Sequence, residues 1–267
     1  MLQQFLKKTR TIRAWRRSVG WQTTSAFVVY RFAAVLGLQP PAVTIKPPQT
    51  AHALSARLRG SSDMDVFSQI FVEDEYACVR GIHSPALIFD LGANVGYSSA
   101  YFLNAFPAAA IIAVEPDPAN FEVCRANLAP YGGRARVVLG AVWSSCSRLA
   151  LSRGTFGDGR EWASEVREAA EHPGTEAVQG WDVPSLLRLT GKERIDLLKV
   201  DIEGSEINVF GPESSSWLHK VSNICIELHG PHCEEVFFHA LRDFEYELSH
   251  SGELTVCSNL RPKCNPH

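Results

Sequence analysis

The chain has 267 residues, 45% hydrophobic and 21% charged, a globular balance that excludes wholesale disorder and collagen-like repeats. That length suits one large domain with a small appendage. The formal net charge is only -3, but the charges are unevenly divided. Residues 1–62 contain ten lysines and arginines and no acid, whereas residues 63–267 contain 16 basic and 29 acidic side chains. A basic extension joined to an acidic domain is therefore expected.

The cysteines and the hydropathy pattern indicate a reducing compartment. Seven cysteines are scattered without a CxxC pair, which argues against a disulfide framework and a thiolate zinc site. No secretory signal follows the basic start, and the apolar stretch at residues 26–38 is too short to span a bilayer and contains Arg31. We expect a soluble, cytoplasmic protein.

The first 60 residues are expected to form a basic helical extension followed by a proline-rich arm. Hydrophobic spacing predicts helices at residues 1–20 and 24–37, and the prolines between residues 40 and 48 predict a linker or an extended arm. A short helix at residues 63–76 then leads into the second predicted domain, residues 61–267.

From residue 86 onward, apolar strands alternate with helices. We predict strands at residues 86–89, 110–114, 135–139, 195–200 and 223–228, and helices at residues 95–105, 118–128, 184–189 and 205–210. A polar, glycine-rich segment at residues 152–174 interrupts the alternation, and residues 244–257 have the pattern of a β-hairpin. This order indicates an α/β fold with a mostly parallel sheet covered by helices on both faces.

A glycine-containing turn follows the first of these strands. It runs Asp-Leu-Gly-Ala-Asn-Val-Gly over residues 90–96, and the next strand ends at Glu115, where a carboxylate can accept hydrogen bonds from two ribose hydroxyls. The glycine spacing is GxxxG, not the GxGxxG of dinucleotide sites, and Asp90 suits an ammonium group better than a phosphate. S-adenosylmethionine carries a ribose, an adenine and a cationic amino-acid tail, and therefore fits all of these features.

A second group of ionisable residues follows two later strands. Asp201 and Glu203 come directly after one strand, and Glu227 and His229 end the next, so they are expected at one edge of the sheet. Here the sequence resembles the FkbM family of S-adenosylmethionine-dependent methyltransferases over roughly residues 60–240. The matching pieces are the loop at residues 90–96, Val-Glu-Pro at 114–116, Leu-Lys-Val-Asp-Ile-Glu-Gly-Ser-Glu at 198–206 and Glu-Leu-His at 227–229.

The resemblance implies a class I methyltransferase (Rossmann-like) fold, in which a terminal hairpin supplies the one antiparallel strand of a seven-stranded sheet. It also implies O-methylation, often of a hydroxyl on a sugar or a complex natural product. The cofactor residues that it implies are Asp90, Gly92, Asn94, Gly96 and Ser98 for the methionine end, Glu115 for the ribose, and Ala141 and Val142 for the adenine. An upstream arm containing Asp63, Phe67 and Tyr76 and a lid around Trp162, Ser164 and Glu165 complete the expected site.

Methyl transfer to an alcohol requires a group that removes the hydroxyl proton of the acceptor or lowers its pKa. His229 is the candidate base, because it alone among these residues has an ordinary pKa near neutrality. Asp201, Glu227 and His229 could instead ligate a hard divalent cation that lowers the pKa of the hydroxyl, or could have structural roles. Glu203 and Glu206 open a helix, where acids stabilise the dipole. Lys199 alternates away from the rim and is expected to extend its ammonium group toward solvent.

Two other classes of function compete with a small-molecule or glycan acceptor. A nucleic-acid methyltransferase could use the basic extension, but an acidic rim repels phosphates, and Asp201-Ile-Glu-Gly replaces the Asn/Asp-Pro-Pro-aromatic stretch typical of base methyltransferases. A non-catalytic binding module would leave the cofactor motif without a purpose. The basic, aromatic-bearing residues 1–38 could contact the anionic face of the inner membrane, or could dock on the acidic domain or form an oligomer.

Overall fold

The computed structural model describes residues 15–21, 23–25, 27–29, 41–153, 164–168 and 176–263. Residues 15–21, 23–25 and 27–29 are helical, as predicted for the parts of the basic extension that are described. Trp15 stacks on Phe27 with ring centroids 4.0 Å apart, which brings the two ends of this helical stretch together. No helix among the described residues is long and apolar enough to cross a membrane.

A seven-stranded sheet forms the centre of the protein. Its strands, in chain order, are β3 (Leu87–Leu91), β4 (Ala110–Glu115), β5 (Ala135–Leu139), β10 (Leu197–Val200), β11 (Ile224–Glu227), β12 (Phe244–Ser251) and β13 (Leu254–Pro262). In space they are ordered β12-β13-β11-β10-β3-β4-β5. All neighbours pair in parallel except β13, which is antiparallel to both β11 and β12. The class I methyltransferase sheet and its antiparallel hairpin strand are therefore confirmed.

Helices cover both faces of this sheet. They are α2 (Tyr97–Ala105), α3 (Pro118–Leu128), α4 (Val183–Arg188), α5 (Glu206–Val209) and α6 (Pro231–Ala240). Successive strand residues alternate between two cores, with Ile88 in one cluster and Leu87 and Phe89 in the other. The start of α3 is fixed locally, because the Asp117 side chain accepts hydrogen bonds from two backbone N–H groups of its first turn and Pro118 occupies that turn.

Residues 141–181, which include the polar segment predicted at residues 152–174, contain four strands. They are β6 (Ala141–Val142), β7 (Arg148–Arg153), β8 (Ser164–Glu168) and β9 (Glu176–Trp181), and they form a separate sheet in the order β6-β9-β7-β8. Within residues 152–174, β8 and the end of β7 belong to this second sheet and not to the central one, and residues 154–163 and 169–174 lie outside the described residues. Leu149 and Leu151, two residues apart on β7, pack with Val178 of β9. This short alternation of apolar residues buries one face of the second sheet.

The proline-rich arm folds into a hairpin rather than an extended linker. Its strands β1 (Ala42–Ile45) and β2 (Leu54–Arg57) pair antiparallel and bury Val43, Ile45 and Leu54. These side chains belong to the same cluster as Ile88 of the central sheet. The predicted helix at residues 63–76 is three short turns: α1 (Asp63–Phe67), a π-helical turn (Ser68–Val72) and a 3-10 turn (Glu75–Val79). The domain boundary near residue 60 remains a prediction.

Candidate active site

A cavity of about 220 Å³ opens at the carboxyl ends of the strands where the chain order of the sheet reverses, between β3 and β10. Ligands of such sheets bind at this reversal point. Among the sequence-predicted site residues, those that line the cavity are Gly92, Asn94, Ser98, Glu115, Ala141, Val142, Asp201 and Glu227. Asp90, Gly96 and His229 are not among the lining residues, but each contacts one that is: Ser98, Ala93 and Glu227, respectively.

The two glycines of the turn allow its close packing against neighbouring elements. Gly92 has φ +78°, and a Cβ atom there would lie 1.7 Å from the backbone oxygen of Asp201. Gly96 has φ +84°, and a Cβ atom would lie 2.9 Å from Sγ of Cys124 on α3. Asn94 adopts φ +49° between them, a conformation found mainly at turns and functional sites. The turn is therefore closely packed, and its residues Gly92, Ala93 and Asn94 line the cavity.

Asp90 is fully buried below this turn and is paired inside the protein. One oxygen accepts hydrogen bonds of 2.6 Å from Ser98 Oγ and from Ser99 Oγ, and the other lies 3.1 Å from Nζ of Lys199. Lys199 also donates to the carbonyl oxygen of Gly92 at 2.7 Å. Asp90 thus fixes α2 and the glycine turn, and it does not line the cavity.

The expectation that the Lys199 ammonium reaches solvent is wrong, because the side chain is only 2% exposed. Burial alone would lower the pKa of Lys199, but the carboxylates of Asp90 and Asp201 raise it above its ordinary value. Side chains of a strand alternate between the two faces of the sheet, but both faces of a parallel sheet are buried. The alternation therefore does not show whether a lysine points to solvent or into the protein. The ion pair with Asp90 could therefore not be inferred from the strand pattern.

Glu115 holds the turn from the end of β4. Its Oε2 accepts a hydrogen bond from the backbone N–H of Asn94 at 2.8 Å, and its Oε1 accepts one from the N–H of Asp117 at 3.0 Å. Burial raises the pKa of Glu115 to about 7. Because Glu115 also lines the cavity, it can face a ligand while organising the loop that would surround that ligand.

His229 connects a group of carboxylates at the other end of the cavity. Its Nε2 lies 3.6 Å from Glu227 Oε1, 3.6 Å from Glu203 Oε2 and 3.9 Å from Asp201 Oδ1. Ligand atoms of Asp201, Glu227 and His229 all lie within 4.8 Å of one another, a spacing that a metal ion could bridge. The structure thus brings the three predicted catalytic residues together.

Glu206 contacts the other ring nitrogen of His229. It is completely buried, and its Oε1 lies 2.9 Å from Nδ1 of His229. Sequence reasoning gave Glu206 only a role at a helix N-terminus, but its place at the start of α5 aims it at the histidine. A buried carboxylate at Nδ1 orients the ring and directs Nε2 toward Asp201 and Glu227.

The crowding of negative charge shifts the pKa values in this group. Burial alone would lower the pKa of His229, but the hydrogen bond to Glu206 and the nearby carboxylates raise it to about 9. Burial and the charge of Asp201 raise the pKa of Glu227 to about 8 and that of Glu203 to about 7. The group therefore favours a bound positive charge.

The upstream arm supplies one wall of the cavity. Of its three residues expected at the site, only Tyr76 lies there. Tyr76 lines the cavity together with Gln69 and Glu75, whereas Phe67 is buried in the core and Asp63 pairs with Arg57 at 2.8 Å. The expected lid residue Trp162 lies outside the described residues, and Ser164 and Glu165 belong to β8.

Comparison with known proteins identifies the family. The methyltransferase FkbM domain matches residues 90–251, more than half of the chain, and this range includes both groups of site residues. The chain belongs to the FkbM methyltransferase family. It is therefore a methyltransferase, and its fold and family imply S-adenosylmethionine as the methyl donor.

Three curated relatives of this FkbM methyltransferase illustrate its similarity to known proteins. Methyltransferase sdnD of Sordaria araneosa is 29% identical over 62% of this chain and 74% of its own length. The 2-O-methyltransferase NoeI of Sinorhizobium fredii is 29% identical over 46% of this chain and 55% of its own. The AMB antimetabolite synthetase AmbE of Pseudomonas aeruginosa is 27% identical over 61% of this chain, but the match spans 9% of that protein.

Solved structures with similar folds are more distant in sequence. A precorrin-6y C5,15-methyltransferase from Geobacter metallireducens is 11% identical, with a TM-score of 0.43 over 72% of this chain and 89% of that one. An O-methyltransferase from Bacillus cereus in complex with SAH is 12% identical, with a TM-score of 0.39 over 68% of this chain and 77% of that one.

The charges of the cavity fit the donor that the family implies. Six carboxylate residues line it, together with a single lysine that Asp90 already neutralises; the acids are Glu75, Glu115, Asp201, Glu203, Glu227 and Glu253. The sulfonium and ammonium groups of S-adenosylmethionine are both positive, so this lining favours them. The same lining disfavours a phosphate-rich ligand.

Proposed function

We propose that this FkbM methyltransferase transfers a methyl group from S-adenosylmethionine to a hydroxyl of a sugar, a glycan or a glycosylated natural product. The observation that carries the proposal is the convergence of Asp201, Glu227 and His229 at the cavity, since an alcohol needs such groups to become a nucleophile. The likeness to NoeI, which is named a 2-O-methyltransferase, supports a hydroxyl acceptor.

The donor half of the site consists of the residues around the glycine turn. S-adenosylmethionine supplies an electrophilic methyl group on a sulfonium when it is bound. The backbone of Gly92 and Asn94, with Ser98, would hold the methionine end, and Glu115 would accept hydrogen bonds from the ribose hydroxyls. Ala141 and Val142 are buried and line the cavity beyond Glu115, so they would flank the adenine.

The acceptor half offers two ways to activate a hydroxyl. In the first, His229 accepts the hydroxyl proton at Nε2, and Glu206 at Nδ1 stabilises the resulting imidazolium. In the second, Asp201, Glu227 and His229 would hold a divalent cation, which would lower the pKa of the hydroxyl.

The geometry favours the cation. Three carboxylates surround Nε2 of His229 within 3.9 Å, and oxygen ligands with one imidazole suit a hard divalent ion. The raised pKa of His229 does not separate the two routes, because the imidazole must lose its proton both to accept the hydroxyl proton and to ligate a cation. Glu206 would then serve as the outer carboxylate that orients a ligating histidine.

A nucleic-acid acceptor fits the cavity less well. The carboxylates that line it would face the phosphates of a strand, and none of the described lining residues except Lys199 is basic. A purely binding role fits poorly as well, because it would leave the group around His229 without a function.

The proposal is tested by incubating the protein with S-adenosylmethionine labelled in its methyl group and panels of candidate acceptors. Nucleotide sugars, lipid-linked oligosaccharides and polyketide glycosides form the first panel, and transfer RNA and duplex DNA form the second. We expect label on a hydroxyl oxygen in the first panel only, at a rate above that of the Asp201→Asn variant. Label in nucleic acid alone would contradict the proposal. The cytoplasmic location and the oligomeric state remain predictions.

A further inference from the structure

The basic extension carries exposed apolar side chains that the methyltransferase activity does not explain. Among the described residues, the large hydrophobic side chains that are exposed are Trp21, Val28, Val29, Leu139 and Leu248. Three of these five lie within residues 15–29. Trp21 is 66% exposed and Val29 62%, whereas an indole and a β-branched side chain usually gain stability from burial.

Other side chains of the same segment attach it firmly to the protein. Trp15 and Val19 are each 2% exposed, and Trp15 stacks on Phe67 with ring centroids 5.6 Å apart. Ser18 Oγ donates to the carbonyl oxygen of Val72 at 3.0 Å, and Gln49 Nε2 donates to the carbonyl oxygen of Ser18 at 2.9 Å. The segment is therefore anchored, and its outward side chains are presented by a fixed support.

The charged side chains of the segment itself all have one sign. Arg16 and Arg17 are exposed on the same segment, and the first 62 residues hold ten basic residues and no acid. Lysines and arginines that flank an exposed tryptophan are typical of segments that lie in the headgroup region of an anionic membrane. A nucleic acid would match the charge, but it would leave Val28 and Val29 in water.

We propose that the described part of residues 15–29 docks this methyltransferase on an anionic lipid bilayer, with Trp21, Val28 and Val29 inserted among the headgroups and Arg16 and Arg17 at the phosphates. The segment rests on Phe67 and Val72, and Gln69 and Ile70 between them line the cavity. Docking would therefore hold a wall of the cavity near the lipid surface. The arrangement suits an acceptor that is itself attached to a lipid.

The test is sedimentation of the full chain with vesicles of phosphatidylcholine alone or of phosphatidylcholine with 30% phosphatidylglycerol. We expect binding only to the anionic vesicles and a decrease as salt is added. The Arg16→Gln/Arg17→Gln double variant should bind about 30-fold more weakly, the factor expected for two surface charges. Trp21→Ala should weaken binding at least tenfold, while Leu248→Ser, which removes an exposed apolar side chain from β12, should not change it.

Equal binding to both kinds of vesicle, or no binding to either, would overturn the proposal. It would also fail if Trp21→Ala abolished a concentration-dependent dimer in solution without affecting the vesicles, because Trp21 would then contact a second copy. Circular dichroism of each variant shows whether it has folded. The readout is binding, so this test can fail while methyl transfer to a soluble glycan remains intact.

Discussion

Nζ of Lys199 lies 3.1 Å from Oδ1 of Asp90, and both side chains are buried beneath the glycine turn. The two residues are on adjacent parallel strands, paired directly across β10 and β3. Because Lys199 also holds the carbonyl oxygen of Gly92, this ion pair connects the donor half of the site to the strand that leads to Asp201. The pair is therefore a structural support shared by both halves of the cavity.

We expect Lys199→Met to destabilise the fold by about 3–5 kcal/mol, because it leaves the Asp90 carboxylate buried without its cation. Urea unfolding followed by circular dichroism measures the loss. The double variant Lys199→Met/Asp90→Asn should recover part of it, since a neutral amide needs no counter-ion. A single variant as stable as the original protein would show that the ion pair is not needed.

The sequence was sufficient for the sheet and for the position of the glycine turn at the cavity, and the reasons are local. The turn at residues 90–96 and the acid at Glu115 follow directly from strand ends and glycine spacing, and the structure places Gly92, Asn94 and Glu115 on the cavity wall. Asp201, Glu227 and His229 could be grouped because adjacent parallel strands end at the same edge.

What the sequence did not predict depends on contacts between distant segments. Glu206 reaches His229 across 23 positions, and nothing in its own helix pattern indicates that contact. The β1–β2 hairpin was missed because its buried residues, such as Leu54, pack against the sheet rather than within a long apolar run. Glu75 and Glu253 also line the cavity, but they lie in short turns whose sequences have no distinctive hydrophobic pattern.

Removing His229 or Asp201 should abolish turnover while donor binding persists. Neither residue belongs to the donor half, so His229→Ala and Asp201→Asn are each expected to lose at least about 100-fold in kcat. Calorimetry with S-adenosylmethionine should show a Kd within a few-fold of that of the original protein. His232→Ala is the matched control, because this neighbouring histidine is 72% exposed and should leave both quantities unchanged. Variants that no longer bind the donor would refute the catalytic assignment.

Chelation distinguishes the two ways of activating the acceptor. If Asp201, Glu227 and His229 hold a divalent cation, EDTA should abolish methyl transfer, and added Mg²⁺ or Mn²⁺ should restore it. Zinc-free buffers and a repeat with a second chelator exclude an effect of EDTA itself. Full activity after chelation and dialysis would leave His229 as the base, and the rate should then rise with pH as the imidazolium loses its proton near pH 9.

Gly92→Ala should disrupt the site through the backbone. A Cβ atom at this position would lie 1.7 Å from the Asp201 oxygen, and φ +78° is strained for any residue with a side chain. We expect at least about 1–3 kcal/mol of destabilisation and a loss of donor binding, measured by thermal unfolding and calorimetry. Gly81→Ala is the control, because nothing lies within 4 Å of its Cβ position, and it should be nearly neutral. Similar effects of the two substitutions would contradict the close packing of the turn.

Glu115 should make donor binding depend on pH. Burial raises its pKa to about 7, so below pH 7 the side chain is mainly a neutral acid. An ionised carboxylate can accept hydrogen bonds from both ribose hydroxyls, whereas the neutral acid has less acceptor capacity, so the proton must be released before the donor binds well. By linkage, affinity should fall about tenfold from pH 8 to pH 6, as followed by calorimetry.

The Glu115→Gln variant isolates this effect, because glutamine is similar in size and does not titrate. The amino group of S-adenosylmethionine also changes charge in this range, but it does so equally with either protein. We therefore expect the variant to bind more weakly at pH 8 and to lose most of the difference in pH dependence. Parallel pH profiles for Glu115 and Gln at this position would show that the carboxylate does not contact the ribose, and the donor would then be held by the turn at residues 92–94 alone.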